Sequence, residues 1–422
     1  MAHLLLLEVP GGNDFTVLED AVAMGHQVTF FTGDRARYED QGEQTRACLA
    51  LAREVVEVRP FGAAALERAA RDVHARLPFN AILCILDIRM IAASDLAVTL
   101  GLRFLNPGTT RMARDKVTVR EALARAGVRQ PRFARADSVE TLRGAIAEVG
   151  FPALVKPSDG YGSQNVFLVR NADDLTAVLE TLARPAADYG LGVVATSQYS
   201  VEQYIQGAMI GCDVFSNPDE RVFLGINDKL MFPPPSFAMR GSCFPSERYD
   251  TGVIRDYAFQ ILDAIGFDFG ACHIEMIVAP DGAYLVEVNP RLVSAQIPFQ
   301  MGYALGRSVY ADLIDLHLGM PLAGLRSLAP AWFAAIRWIV AARTGIVDRV
   351  ELPEAIDAAV RRVVLFKQPG DIVRPPVNNG DRIGYAIAVA DTQAAAEVIA
   401  DRFVQSSFVH YRTQVDFSRE MI

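Results

Sequence analysis

A stretch beyond the middle of the chain, residues 273–291, constrains the fold more than any other. Two apolar runs flank a Pro-Asp-Gly cluster there, a pattern that predicts two strands joined by a tight turn. Polar side chains interrupt both runs, with Glu275 in the first and Glu287, Asn289 and Arg291 in the second. Because the last three are spaced two residues apart, we expect them to share one face of a strand.

These side chains indicate a particular chemistry. Two carboxylates and an amide oxygen that face one another are hard oxygen ligands, suited to a Mg²⁺ ion that also binds phosphates. An arginine at the end of the row can bind a phosphate or a developing oxyanion. The alternative is a hairpin with a solvated polar face. The flanking apolar residues indicate burial, and buried charges need partners, so other parts of the chain should supply them.

Composition and charge limit the class of protein. The chain has 422 residues, and at roughly 100–200 residues per domain this length predicts about two to four domains. The net charge of −9 and the pI of about 5.3 argue against nonspecific binding of nucleic acid. The five cysteines are scattered, without the spacing of a zinc or redox motif. The first apolar run is too short for a signal peptide or a membrane span, so we expect a cytoplasmic protein.

The first hundred residues predict a small doubly wound parallel sheet. An apolar run at 3–9, a Gly-rich turn at 10–12, a helix at about 15–24 and a second strand at 26–32 form a β-α-β unit. The turn lacks a complete G-x-G-x-x-G pattern and the acidic residue of a dinucleotide site. It is therefore either a tight turn or a substrate-binding loop.

A second pattern is typical of phosphate binding. The predicted strand 151–157 carries Lys156 and runs into the Gly/Ser-rich loop 158–165. Glycines allow backbone N–H groups to approach an anion, and a lysine adds a point charge. The alternative is an ordinary Gly-rich hairpin tip. Lys116, on a predicted helix at 110–126, gives a weaker signal because a lysine on a helix surface is usually solvated.

Two later regions leave alternatives open. Lys229 precedes a stretch rich in Pro and Phe, and residues up to 245 are predicted to be irregular, long enough for a binding loop or lid. The alternative is a surface loop. Residues 330–422 contain strands and a helix at about 392–404 but no catalytic cluster, which indicates a structural or lid-supporting domain.

The motifs, in this order, resemble those of the ATP-grasp superfamily of carboxylate–amine ligases. The matching segments are Asp115-Lys116, V-K-P with the loop D-G-Y-G-S, V-E-Q-Y-I, and G-A-C-H-I-E-M through E-V-N-P-R. The tail resembles the C-terminal domain of bacterial L-amino-acid ligases, which make dipeptides. The resemblance implies an α/β and α+β architecture: an N-terminal Rossmann-like domain (1–107), a two-lobed ATP-grasp domain (108–319, with a flap at about 119–200) and a C-terminal α+β domain (320–422).

The resemblance also implies roles for individual positions. The implied ATP-binding residues are two lysines, a flap and a hinge: Lys116, Lys156, Gly160, Tyr161, Gly162, Ser163, Glu202, Gln203 and Ile205. The implied metal ligands are Glu275, Glu287 and Asn289. The implied catalytic residues are Arg291, which would steady the acyl phosphate, and Lys229 and His273, at positions where amino-acid ligases carry polar active-site residues.

The implied activity is amide formation through an acyl phosphate, with release of ADP and phosphate and with an amino acid as one substrate. The implied cofactors are ATP and Mg²⁺, with Mn²⁺ as the alternative metal, and the implied partners are a small carboxylate and an amine, with no nucleic acid and no membrane. A homodimer is left open. Two other functions are considered: a carboxylase acting through carboxyphosphate, and a non-catalytic ATP-binding module. The flap has fewer glycines than that of biotin carboxylase, which disfavours the first.

Overall fold

The fold begins with a parallel sheet covered on both faces. The computed structural model of the chain describes residues 1–10, 15–160, 165–182, 198–233, 236, 238–294, 296–326 and 329–412. Its first elements, up to residue 100, are β1 (His3–Leu7), α1 (Thr16–Ala23), β2 (Gln27–Thr32), α2 (Ala36–Glu39), α3 (Glu43–Ala50), β3 (Glu54–Glu57), α4 (Ala63–Arg76), β4 (Ala81–Leu83) and α5 (Met90–Leu100).

The strand order β3-β2-β1-β4, with every pairing parallel, confirms the predicted doubly wound sheet. Side chains of β1 alternate between two cores: Leu4 and Leu6 pack in one, Leu5 and Leu7 in the other. Helices therefore cover both faces, which explains why the strand is apolar throughout rather than alternating. The predicted Gly-rich turn after β1 falls on residues 11 and 12, outside the described residues.

The helix predicted at 110–126 is two helices, α6 (Pro107–Ala113) and α7 (Lys116–Arg125). Asp115 separates them. Its backbone is extended, and its side chain accepts a hydrogen bond from the Thr118 backbone at 3.0 Å, so it caps α7. The break places Lys116 in the first turn of α7, where its backbone N–H donates to the carbonyl of Ser158 at 2.8 Å.

A second, antiparallel sheet follows α7. Its elements are β5 (Phe133–Ala136), α8 (Leu142–Val149), β6 (Ala153–Pro157), β7 (Phe167–Val169), α9 (Ala172–Leu182) and β8 (Tyr199–Gln203). The strand order is β5-β8-β6-β7. One core joins α8 and α9 to this sheet. Lys156 in β6 and Glu202 in β8 come from adjacent strands, with Leu154 opposite Glu202.

The next elements form most of a large sheet: β9 (Ala208–Asn217), β10 (Glu220–Met231), β11 (Met239–Phe244), α10 (Thr251–Ala264), β12 (Gly270–Ala279), β13 (Gly282–Asn289), α11 (Ile297–Leu305), α12 (Val309–His317) and α13 (Ala323–Arg326). The prediction of an irregular stretch from Lys229 to residue 245 is wrong for residues 229–231 and 239–244, and its centre at residues 234, 235 and 237 lies outside the described residues. Residues 220–231 and 239–244 are paired strands, and only 232–238 connect them.

The C-terminal elements are β14 (Phe333–Val340), β15 (Gly345–Glu351), β16 (Val360–Leu365), β17 (Ile372–Val373), β18 (Arg382–Ala390), α14 (Gln393–Gln405) and β19 (Phe408–Tyr411). Three of these strands extend the large sheet, whose order is β13-β12-β9-β10-β11-β14-β18-β16. This sheet is continuous across the boundary predicted at 319/320. No helix within the described ranges is both long and apolar enough to span a membrane.

Candidate functional site

The hairpin of β12 and β13 brings the predicted polar residues together. In its antiparallel register Glu275 lies opposite Glu287, and His273 lies opposite Asn289. Directly opposed residues of neighbouring strands point to the same face, so all four share one face of the sheet. The ladder shifts register after Glu275, at the Met276 position. The predicted hairpin is therefore confirmed, and so is the shared face of Glu287 and Asn289, whereas Arg291 lies beyond the end of β13.

Each carboxylate of the hairpin has its own lysine. Lys229 of β10 forms an ion pair with Glu275, and the Lys116 ammonium lies 3.0 Å from Glu287. Burial by itself would raise the pKa of Glu275, but Lys229 and His273 outweigh it and hold that pKa well below its usual range. Lys116 also donates to the carbonyl of Gly160 at 2.7 Å, which connects the hairpin to the start of the predicted flap.

The donor set fits a Mg²⁺ ion that is partly coordinated by phosphate. Two carboxylates on opposed strands repel each other unless cations neutralise them, and the two lysines now perform this role. Among the described residues no group of three or more His, Cys, Asp or Glu side chains could hold a metal. Glu275, Glu287 and Asn289 are hard oxygen donors, and Mg²⁺ is usually held by one or two carboxylates together with phosphates.

A buried histidine connects the acidic pair to an aspartate that the sequence did not reveal. The Nδ1 of His273 lies 3.1 Å from Asp213 in β9, and its Nε2 lies 3.2 Å from the Lys229 ammonium. Burial would lower the pKa of His273, but Asp213 outweighs it and raises that pKa above the usual value. The other oxygen of Asp213 accepts from the Val293 backbone at 2.9 Å, which fixes the carboxylate.

Close packing around this histidine depends on a glycine. Gly211 of β9 pairs with Glu275 in β12. A Cβ at Gly211 would lie 2.6 Å from Cε1 of His273 and 3.0 Å from Cε of Lys229. Only glycine therefore allows both side chains to lie over this point of the sheet.

Arg291 reaches the N-terminal sheet. Its guanidinium forms an ion pair with Asp87, which also lies 3.3 Å from Arg114. Burial would raise the pKa of Asp87, but the two arginines outweigh it and lower that pKa. Arg291 lines the same cavity as Asn289, and its role beside a metal ion stays a prediction. Asp87 follows β4 closely, and residues just beyond the carboxyl ends of parallel strands often serve a site, so a signal for it existed.

Lys156 and Glu202 form a buried ion pair. The Lys156 ammonium lies 2.9 Å from Glu202, and Arg120 of α7 lies 2.8 Å from the same oxygen. Burial would raise the pKa of Glu202, but Arg120 and Lys156 outweigh it and hold that pKa far below its usual range. Arg120 also donates to the carbonyl of Leu285 in β13 at 2.7 Å, so this cluster ties the second sheet to the hairpin. Sequence reasoning missed Arg120, which lies in an ordinary amphipathic helix.

A cavity lies between the second sheet and the hairpin. Its volume is about 300 Å³. The predicted ATP-binding and metal-binding residues that line it are Lys116, Lys156, Gly160, Glu202, Gln203, Ile205, Glu275 and Glu287. Apolar side chains such as Leu154, Ile277 and Leu285 form its walls. Three residues predicted for the flap, Tyr161, Gly162 and Ser163, lie outside the described residues.

A second cavity, of about 110 Å³, lies next to the first. The predicted residues that line it are Lys229, His273, Glu275, Glu287, Asn289 and Arg291. Its remaining wall includes three methionines (Met209, Met231 and Met239) and two C-terminal residues, Asn379 and Arg382. The two cavities share Glu275 and Glu287, so they meet at the acidic pair. The expectation that the tail is only structural or lid-supporting missed these two residues.

Comparisons with known proteins agree with this architecture. Residues 149–298 match the model of the ATP-grasp domain, and residues 337–410 match the model of L-amino acid ligase C-terminal domain 2. The L-amino acid ligase from Bacillus licheniformis superposes with a TM-score of 0.81 at 18% identity, covering 98% of this chain and 99% of that one. The predicted ATP-grasp fold and the resemblance to L-amino acid ligases are thereby confirmed.

Other relatives are less informative about the reaction. The biotin carboxylase domain of 2-oxoglutarate carboxylase from Hydrogenobacter thermophilus, in complex with MgADP, ADP and bicarbonate, superposes with a TM-score of 0.72 at 17% identity, covering 97% of this chain and 91% of that one. An uncharacterized protein of Sinorhizobium fredii, y4rH, is 31% identical over 319 residues, which is 71% of this chain and 62% of that protein. The matched region is thus less than two thirds of that relative's length.

Proposed function

We propose that this ATP-grasp protein is an ATP-dependent ligase that joins the carboxylate of one small molecule to the amine of another, an amino acid being one of the two. The observation that carries the proposal is the meeting of two cavities at Glu275 and Glu287. The larger cavity is mostly apolar, with Lys116 at the acidic pair and Lys156 beside Glu202, an arrangement that suits a nucleotide. The smaller one gathers cationic side chains around the place where a phosphoryl group would be transferred.

In the larger cavity, Lys116, Lys156 and Gly160 would hold the phosphates, while Gln203 and Ile205 would meet adenine and ribose. The expected contact between Glu202 and the nucleotide stays a prediction, since its carboxylate also holds Lys156 and Arg120 in place. Glu275, Glu287 and Asn289 would hold Mg²⁺, which when bound neutralises phosphate charge.

The reaction follows in two steps. A carboxylate oxygen of the donor bonds to the γ-phosphorus of ATP while the bond from that phosphorus to the bridging oxygen breaks, which releases ADP and leaves an acyl phosphate. The amine nitrogen of the acceptor then bonds to the carbonyl carbon, the bond from that carbon to the phosphate oxygen breaks, and the nitrogen passes a proton to His273. Arg291 and Lys229 stabilise the charge that grows on the carbonyl and phosphate oxygens.

The side chains of this protein would promote the reaction mainly by positioning the substrates and by neutralising their charge. A carboxylate is a poor electrophile at neutral pH, so two anions must be brought together before the acyl phosphate can form. The second cavity supplies Lys229 and Arg291 for this purpose, both of them buried and held by ion pairs with Glu275 and Asp87. Fixed charges of this kind need no rearrangement at the moment of reaction.

The test is a screen of amino acids, singly and in pairs, for the release of ADP and phosphate. We expect release with particular pairs and little with either member alone. If no carboxylate–amine pair supports release, the ligase proposal fails. Turnover that needs bicarbonate and no amine would instead support the carboxylase alternative, for which the fold similarity to a biotin carboxylase domain is the supporting observation.

A further inference from the structure

One buried arginine in the smaller cavity has no carboxylate partner. Arg382, at the start of β18, is 6% exposed. Its guanidinium lies over the ring of Trp338, with Cζ 3.8 Å from the ring centroid, and Nη2 donates to the side-chain oxygen of Asn379 at 2.5 Å and to the carbonyl of Met239 at 3.3 Å. Its Nε has no hydrogen-bond partner among the described residues.

This arginine differs from the other buried arginines of the described ranges. Arg114, Arg120, Arg291 and Arg337 each form an ion pair with an Asp or Glu, whereas no acidic side chain described in the structure lies within ion-pair distance of Arg382. A buried charge without a counter-ion is costly. Burial lowers the pKa of Arg382 to about 9, so the guanidinium is still charged at neutral pH and still lacks an anion.

The position of Arg382 in the cavity indicates that a bound ligand supplies its counter-ion. It lines the same cavity as Lys229, Asn289 and Arg291. Asn379, which accepts from Arg382, also accepts from the Met239 backbone at 3.0 Å, so the guanidinium is fixed against β11 rather than free to move away. The planar guanidinium presents paired N–H donors whose geometry matches a carboxylate.

We propose that Arg382 is the specificity-determining residue of the acceptor site, where its guanidinium binds the free carboxylate of an amino-acid acceptor. This inference rests on the proposed function. The carboxylate that becomes phosphorylated requires the cations next to the acidic pair, Lys229 and Arg291, and a separate cation implies a second anionic group. The methionines Met209, Met231 and Met239 provide an adaptable apolar wall for the acceptor's side chain.

The test compares acceptors that differ only at the carboxylate: L-alanine or L-phenylalanine, the corresponding amino-acid amide, and the decarboxylated amine. With a fixed donor and ATP, we expect the wild-type protein to prefer the free acid by about 10²-fold in kcat/KM, the size of a lost charge-assisted hydrogen bond. Arg382→Met should remove this preference chiefly by raising KM for the acid, while the rate with the amide changes little.

Arg343→Met is the matched control. Arg343 also lies over an aromatic ring, with Cζ 4.0 Å from the centroid of Tyr411, but it does not line the cavity. This variant should keep the preference for the free acid. Equal rates for acid and amide in the wild-type protein, an equal loss for both in Arg382→Met, or a carboxylate requirement confined to the donor would each overturn the proposal.

A second measurement separates this inference from the ligase proposal. Calorimetric titration of L-alanine and L-alaninamide, in the presence of Mg²⁺ and a non-hydrolysable ATP analogue, requires no turnover. Tighter binding of the acid by the wild-type protein, lost in Arg382→Met, would support the carboxylate site even if no pair released ADP. Equal binding of acid and amide would reject the site even if ligation were established.

Discussion

Glu275 and Glu287 lie opposite each other on paired strands, and each has one lysine partner. Both carboxylates line the two cavities and are partly exposed, but Glu275 also belongs to the network of Lys229 and His273, whereas Glu287 pairs with Lys116. A metal ion would therefore reach Glu287 without disrupting that network. Neutralising Glu287 should therefore affect activity more than stability. A variant at this position can test the site without unfolding the protein.

We predict that Glu287→Gln lowers Mg²⁺-dependent turnover by at least about 10²-fold, since a metal at such a site supplies several kcal/mol of charge stabilisation. Stability should change little, because the Lys116–Glu287 pair is partly solvated. Steady-state rates at saturating ATP and Mg²⁺, with a thermal melt, provide the measurement. Asp281→Asn, in the exposed turn of the same hairpin, is the control. A near wild-type rate for Glu287→Gln would show that the metal site is placed wrongly.

Arg291 provides a sharper test of catalysis. Arg291→Lys keeps the charge but loses the planar fork. We predict that ATP binds nearly normally and that the rate of ligation falls by roughly 10²-fold, as for loss of a donor that acts on the transition state. Because Arg291 also pairs with Asp87, a stability measurement must accompany the rates. A large loss of stability with undiminished turnover in the remaining folded protein would mean that Arg291 only holds the two sheets together.

The Glu202 cluster predicts a pH dependence of stability. The folded-state pKa of Glu202 lies below its unfolded value, so its contribution is fully present above the unfolded pKa of about 4.3 and is lost as the pH falls towards the folded pKa. Glu202→Gln leaves Lys156 and Arg120 without a counter-ion and should cost about 3–5 kcal/mol at pH 7. Urea unfolding of both proteins between pH 7 and pH 3 measures this difference. A gap that stays constant or widens as the pH falls would contradict the assigned shift.

At the scale of secondary-structure elements, local sequence patterns predicted the elements that depend on nearby residues. Elements that depend on packing between distant parts of the chain could not be predicted in this way. The hairpin with its turn, the parallel β-α-β unit and the strand that carries Lys156 were predictable, because periodicity and turn residues are local properties. The stretch after Lys229 was not, since its strand character comes from pairing with neighbours. Within the site, Asp213 and Arg382 were missed because each acts through contacts with residues distant in the sequence.

A substitution in strand β9 tests whether the strand positions the site residues. Gly211→Ala should displace His273 and Lys229, because the added Cβ would lie 2.6 Å from the histidine ring. We expect turnover to fall by about 10²-fold, comparable with the effect of a small misplacement of reacting groups. Gly144→Ala, in α8, is the matched control, since its Cβ would meet nothing within 4 Å. Unchanged turnover in Gly211→Ala would show that the histidine and lysine need not hold these positions.

At the scale of the whole molecule, the site draws on every part of the chain. The N-terminal sheet supplies Asp87, the second sheet supplies Lys156, the hairpin supplies the acidic pair, and the C-terminal strands supply Arg382. The large sheet, which runs from β13 to β16, connects the acidic pair to Arg382 in one continuous structure.

The central claim is that a carboxylate is activated by phosphorylation before the amine attacks. Once the amino-acid screen has identified a productive pair, the donor is prepared with ¹⁸O in its carboxylate, and the released phosphate is analysed by mass spectrometry. The account predicts one ¹⁸O atom in each phosphate, because the bond between the carbonyl carbon and a carboxylate oxygen breaks when the amide forms. Phosphate without ¹⁸O, accompanied by amide formation, would contradict the account.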